Sequence, residues 1–121
     1  MVKRTGPTNV HLRKLIRFLI KNSKENKAKI WKYVAELLSK PTRKRIKVNL
    51  GKIDKLANEN DTVIVPGKVL GGGNISKKIT IAAWRFSESA KKKLENIGAK
   101  ITKIEDLVKG NPKGSKVKII I

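Results

Sequence analysis

Cysteine is absent from the 121 residues, which excludes disulfides, zinc knuckles and thiol nucleophiles. Histidine occurs once, as His11, so imidazole metal sites and a Ser-His-Asp relay have little to build on. Acids are scarce: nine Asp and Glu face thirty Lys and Arg. They are scattered and often stand beside lysines, so no carboxylate pair suggests acid–base work. Five residues are aromatic and 39% are hydrophobic, below the ordinary share. The core is therefore expected to be aliphatic and helped by whatever the protein binds. No run approaches the roughly 18 apolar residues that a membrane span needs. Lys3 and Arg4 are not followed by an unbroken apolar stretch, so no secretory leader is expected. These absences fit a non-catalytic protein of a reducing compartment, without cofactor, metal, membrane or small-molecule substrate.

What is present is positive charge. The formal net charge is +21, and self-repulsion on that scale opposes a compact state unless a polyanion neutralises it. Nucleic acid is the first candidate, because each contacted phosphate releases counterions. An anionic membrane surface is the other. The excess is uneven: residues 1–55 hold 17 of the basic side chains and three of the acids. The length suits one domain, with residues 1–57 as a basic helical part and 58–121 as a strand and helix core.

Gly6 and Pro7 make the start an extended arm carrying Lys3 and Arg4. A helix is expected from Thr8 or Asn9, with Leu12, Leu15, Ile16 and Leu19 on its apolar face. Arg13, Lys14, Arg17 and Lys21 lie largely off that face with no local acid, which favours phosphate contact over simple solvation. Asn22 and Ser23 punctuate. A second helix is expected from about Lys24 to Ser39, with Glu25–Lys29 and Glu36–Lys40 in the favourable i,i+4 order. Trp31 and Tyr33 sit at helical spacing, which reads as core before base stacking. Pro41 ends this helix. Arg43, Lys44, Arg45 and Lys47 then crowd a short connector, where several side chains can converge on phosphate. Asn49 is positioned to cap a third helix, Leu50–Ala57, with Leu50, Ile53 and Leu56 inside.

Two apolar runs follow, Val63–Val65 and Ile79–Trp84. The second is nearly all apolar, which implies burial on both faces, as in an α/β layer arrangement. Pro66-Gly67 is expected to close the first, with Lys68–Leu70 as a continuation or a partner strand. Ser87 caps the next helix, lined by Ala90, Leu94 and Ile97 and stopped at Gly98. A shorter strand and helix come after it, and Val117–Ile121 reads as an edge strand. The stretch between the apolar runs holds Gly71, Gly72 and Gly73. It lacks the Gly-Lys-Ser/Thr of a Walker loop and the last glycine of a dinucleotide fingerprint. Two readings remain: a flexible hairpin loop, or a loop whose bare backbone approaches a nucleic-acid backbone closely. Lys68, Lys77 and Lys78 on its shoulders favour the second. On that reading at least one of Gly72 and Gly73 is dispensable for the free fold.

The segment Lys68-Val-Leu-Gly, through Lys77-Lys-Ile-Thr, to Phe86-Ser-Glu-Ser-Ala90 resembles the shared motif of a ribosomal superfamily. That superfamily joins bacterial large-subunit protein fifteen and archaeal–eukaryotic large-subunit protein eighteen-e. The glycine- and arginine-rich extension of the bacterial branch is absent, and the opening Thr5-Gly-Pro-Thr-Asn is similar to the eighteen-e branch. The resemblance covers essentially the whole chain. It implies an irregular β-β-α superhelical core behind a helical N-terminal part. It also implies a structural, cytoplasmic role on large-subunit ribosomal RNA beside neighbouring ribosomal proteins. Arg85 joins the expected contacts, whereas Trp84 departs from the His often seen nearby in bacterial relatives and is assigned none. A chromatin-like DNA-binding protein is the alternative, but no helix-turn-helix is evident and the cations are spread over several elements.

Binding through spread cations is strongly salt-dependent. If about 6 phosphates are neutralised, log affinity against log salt falls with a slope of roughly −4 to −5. A filter-binding series in potassium chloride measures it, and a slope near zero would remove the charge from the binding surface.

Overall fold

The computed structural model describes residues 10–39 and 46–121. The elements are α1 (Val10–Asn26), α2 (Lys29–Leu38), β1 (Ile46–Asn49), α3 (Leu50–Leu56) and β2 (Thr62–Leu70), followed by β3 (Thr80–Phe86), α4 (Glu88–Asn96), β4 (Lys100–Thr102), α5 (Ile104–Gly110) and β5 (Val117–Ile119). The N-terminal helices precede a five-stranded, wholly parallel sheet. Its main path runs β1-β2-β3-β4, and β5 pairs with the first residues of β2.

The apolar character of the central strands follows from their place between two layers. Val63, Val65, Val69, Ile81 and Ala83 pack with Leu50 and Ile53 of α3 and with Ala90 and Leu94 of α4. Ile64 and Ala82 enter a second cluster with Leu12, Leu15, Leu19, Trp31 and Ile104. Alternating residues therefore serve opposite cores, the α/β arrangement expected from a strand with no polar face. Trp31 belongs to the core, as its spacing indicates, and its indole Nε1 donates to the Pro112 carbonyl at 2.7 Å.

Several local expectations fail for identifiable reasons. Asn22 and Ser23 do not end α1. The Asn22 amide donates back to the Phe18 carbonyl at 2.8 Å, a helix-compatible i−4 bond, and the break comes at Lys27 with φ 51°. That break separates Glu25 from Lys29, and Glu25 instead lies 3.9 Å from Lys21. Tyr33 and Leu56 are exposed rather than core. The basic connector ends in strand β1, whose Val48 is buried between exposed Lys47 and Asn49. Thr42–Arg45, Pro41 and Lys40 lie outside the described residues, as do Lys3, Arg4, Thr8 and Asn9. Pro66-Gly67 does not close β2. The strand continues to Leu70 across a register shift between Val65 and Lys68, where a residue without an N–H is tolerated.

The hairpin reading of the glycine loop is excluded, because β2 and β3 run parallel with Thr62 beside Thr80. The chain must return from Leu70 to that starting line, about 25 Å at ~3.3 Å per strand residue. It has only the nine residues 71–79 for this. Nine helical residues would cover ~14 Å, whereas extended backbone reaches about 30 Å. The return is therefore an extended crossover lying between α3 and α4, and it sends Ile75 and Ile79 into the first core.

Ile64 and Ile81 are fully buried on opposite faces. Ile64→Ala and Ile81→Ala are each expected to lower unfolding free energy by about 2–5 kcal/mol through the cavity left behind. Urea midpoints, with the denaturant slope unchanged, check this.

Candidate nucleic-acid interface

An extended crossover has no ladder partner, so its amides and carbonyls need others. Side chains and neighbouring backbone supply them from both flanks. On the α3 side, the Gly72 amide donates to Asn49 Oδ1 at 3.2 Å and the Gly51 amide donates to the Gly72 carbonyl at 2.9 Å. Asn49 therefore stands at the N-cap position of α3 without capping it; its side chain is spent on the crossover. Further along, the Ser76 amide donates to Asp54 Oδ1 at 3.0 Å, and the Lys78 amide donates to Glu59 Oε1 at 3.0 Å. On the α4 side, Lys93 Nζ donates to the Gly71 and Gly73 carbonyls, both at 2.7 Å. Ser87 caps α4 as expected, its Oγ accepting from the Ala90 amide at 3.2 Å.

The space beside these glycines is already filled by neighbouring segments. Gly73 has φ 77°, and a Cβ there would stand 2.8 Å from the Gly51 Cα. At Gly71 and Gly72 a Cβ would press on Ser89 Oγ and Asn49 Oδ1, at 2.0 and 2.5 Å. The glycine backbone thus makes a close approach within the protein, against α3 and α4.

Lys77 is likewise engaged internally. Its ammonium donates to the Asp54 and Ala57 carbonyls at 2.5 and 2.8 Å, a cation closing the C-terminal end of α3. The Ser76 amide, opposed by some desolvation and aided by the Ser76 hydroxyl and Lys77, holds the Asp54 carboxyl below its usual range.

The remaining expected contacts separate into groups. Arg13, Lys14, Arg17 and Lys21 are exposed along α1, and Lys47 and Lys78 are exposed on β1 and the crossover. Lys68 and Arg85 are exposed register partners at the carboxyl ends of β2 and β3. There, in the position where open parallel sheets leave a crevice, lies a cavity of about 700 Å³. Lys68, Trp84, Arg85, Lys91, Lys103 and Asp106 are among its walls. A second cavity of about 510 Å³, walled in part by His11, Lys14 and Phe18, shares Ala83, Trp84 and Lys103 with it.

Residues 26–102 match the family model of the ribosomal proteins 50S-L15 and 50S-L18e and the 60S protein twenty-seven A. The chain belongs to that family. Relatives are similar along nearly their whole length. The large ribosomal subunit protein eL18 of Methanopyrus kandleri is 51% identical over 96% of this chain and 95% of its own. The eL18 proteins of Pyrobaculum aerophilum and Methanococcus maripaludis are 48% and 46% identical over at least 96% of each chain. The matched region holds α2, β1, α3, β2, the whole crossover, β3, α4 and β4. Membership in a family of ribosomal proteins bears out the expectation of a non-enzymatic protein.

Lys93, which holds the glycine run, and Asp54 and Glu59, which hold the later part of the crossover, were not expected from sequence. Lys93 stands one turn from the inward Ala90, which was the available signal; the two carboxylates gave none, because their partners are amides distant in sequence. Gly73→Val is expected to lower stability by more than the 1–2 kcal/mol of left-handed strain alone. Lys93→Met is expected to cost about 1–3 kcal/mol by stripping two carbonyls of a charged donor. Thermal melts of the free protein measure both. The Asp54 contribution is complete above its unfolded value of 3.8 and is lost as pH falls through the lower folded value.

Proposed function

We propose that the protein is a structural constituent of the large ribosomal subunit of the cytoplasmic ribosome. It binds folded large-subunit ribosomal RNA and stands beside neighbouring ribosomal proteins. The observation that carries this is full-length similarity to the eL18 proteins, at 51% identity in the first case. A net charge of +21 supports it independently. The irregular β-β-α superhelical description belongs to the same reading, supported by the succession β2, β3, α4.

The cations divide by task. Arg13, Lys14, Arg17 and Lys21 on α1, the connector Arg43, Lys44, Arg45 and Lys47, and Lys68, Lys78 and Arg85 contact phosphate. So do Lys3 and Arg4 of the arm. Gly71, Gly72, Gly73 and Lys77 act through the shape they hold, presenting the crossover to the RNA as a rigid edge. Spread cations suit a folded RNA whose phosphates face many directions, and this favours RNA over duplex DNA.

The division has a measurable consequence. Each lost phosphate contact reduces the salt slope by about 0.7–0.9. Arg13→Ala with Arg17→Ala is therefore expected to flatten it by roughly 1.4–1.8, and Arg43, Lys44 and Arg45 together replaced by Ala by roughly 2–3. Lys77→Met is expected to lower the melting temperature and leave the slope unchanged. Tagged wild-type protein should sediment with large subunits at both high and low magnesium. Sedimentation with the chromosome or with membranes instead would overturn the proposal.

A further inference from the structure

We propose that the groove at the carboxyl edge of the sheet is a subsite for one unstacked nucleotide of the RNA; this rests on the RNA-binding reading above. Trp84 is the basis. The protein has two tryptophans, and they are treated differently. Trp31 is fully buried and hydrogen-bonded through its indole nitrogen. Trp84 is half-buried, lines both carboxyl-edge cavities, and has the Arg85 guanidinium 5.5 Å from its ring centroid. Tyr33 is more exposed, but among the described residues it is Trp84 that carries a guanidinium over its ring.

Tryptophan and guanidinium planes are what splayed-out bases stack on. Phosphate recognition alone does not call for such a platform, and the bases of an RNA duplex already cover one another. The charge around it is suited to the rest of a nucleotide. Lys68 stands in register beside Arg85, and Lys91 and Lys103 complete a wall with Asp106 as its acid. Three lysines and an arginine against one carboxylate favour an anion. Asp106, which only accepts hydrogen bonds when ionised, repels phosphate and suits a base amino group. The nucleotide therefore lies with its base toward Trp84 and Asp106 and its phosphates toward Lys68 and Lys91. A cavity of about 700 Å³ lies within the range of small-ligand sites and has room for one nucleotide with its flanking phosphates.

The test uses the full chain and a single-stranded adenosine hexanucleotide, with an RNA duplex of equal length as control. Because Trp31 is buried, a change in indole emission on binding reports Trp84. The single strand is expected to quench emission saturably, and the duplex is not. Trp84→Ala is expected to weaken hexamer binding about 5- to 150-fold, the value of one base–aromatic stack. Trp84→Phe keeps most of the affinity and loses the quench. Arg85→Ala, at an exposed position that the fold does not need, also weakens the hexamer, so the test survives if Trp84→Ala fails to fold. The proposal is overturned if Trp84→Phe retains the quench, if Arg85→Ala binds the hexamer as wild type does, if the duplex quenches equally, or if oligoglutamate reproduces the signal. Its failure is distinct from failure of the functional reading. Wild-type protein that sediments with large subunits, alongside a hexamer titration that ignores Trp84 and Arg85, removes the subsite and keeps the function.

Discussion

The structure depends on satisfying the polar backbone of a crossover that is too short to be a helix. Parallel neighbours are ordinarily joined through a dozen or more residues, most often helical, which keep their hydrogen bonds to themselves. Here β2 and β3, the central pair, are joined by nine residues. The extended return puts amides and carbonyls against the sheet with no ladder. Asn49, Asp54 and Glu59 accept from its amides, Lys93 donates to its carbonyls, and Gly51 meets it backbone to backbone. The same contacts fix the distance between α3 and α4, because the crossover is tied to both. The first core, into which Ile75 and Ile79 descend, is closed by that lid.

This arrangement also gives part of the positive charge a structural use. An ammonium placed on carbonyl oxygens, as with Lys77 at the end of α3 and Lys93 on the glycine run, makes charge-assisted hydrogen bonds to acceptors that carry no formal charge. A chain with nine acids and thirty bases can thereby occupy some lysines internally. Lys118 is held differently, by an ion pair with Asp61 at 2.7 Å. The cations of α1 and of the carboxyl edge have no comparable duty in the fold, and they are exposed. Such groups retain their hydration and their long-range field, which is what a polyanion responds to.

The carboxyl-edge groove follows from the topology. Parallel strands all end on one side, so Lys68 and Arg85 arrive there together and Lys103 follows β4 to the same edge. Because α1 and α5 cover one face and α4 the other, the ends of β3 and β4 lie between layers that do not meet over them. Trp84 occupies that gap, the last residue of β3 to lean on the second core.

Much was legible in the sequence because it rests on local physics. A nearly unbroken apolar run made Ile79–Trp84 a strand with two apolar faces, Ser87 announced α4, and +21 with few acids selected a polyanionic partner. The family motif at Lys68–Ala90 stands on side-chain chemistry at fixed spacing, which needs no coordinates. What the sequence could not decide was direction and partnership. A glycine-rich stretch between two strands reads equally as a hairpin or a crossover, since the pattern of either strand is unchanged by reversing it. Whether Gly71–Gly73 face RNA or the protein depends on Asn49, Gly51 and Ser89, which lie far off in the sequence on both sides. Whether Trp84 is core or platform depends on where α1, α4 and α5 stop covering the sheet. Local pattern determined most of the elements and the class of partner; only the packing of distant segments decided which lysines hold the fold, which are left outside it, and where the sheet opens.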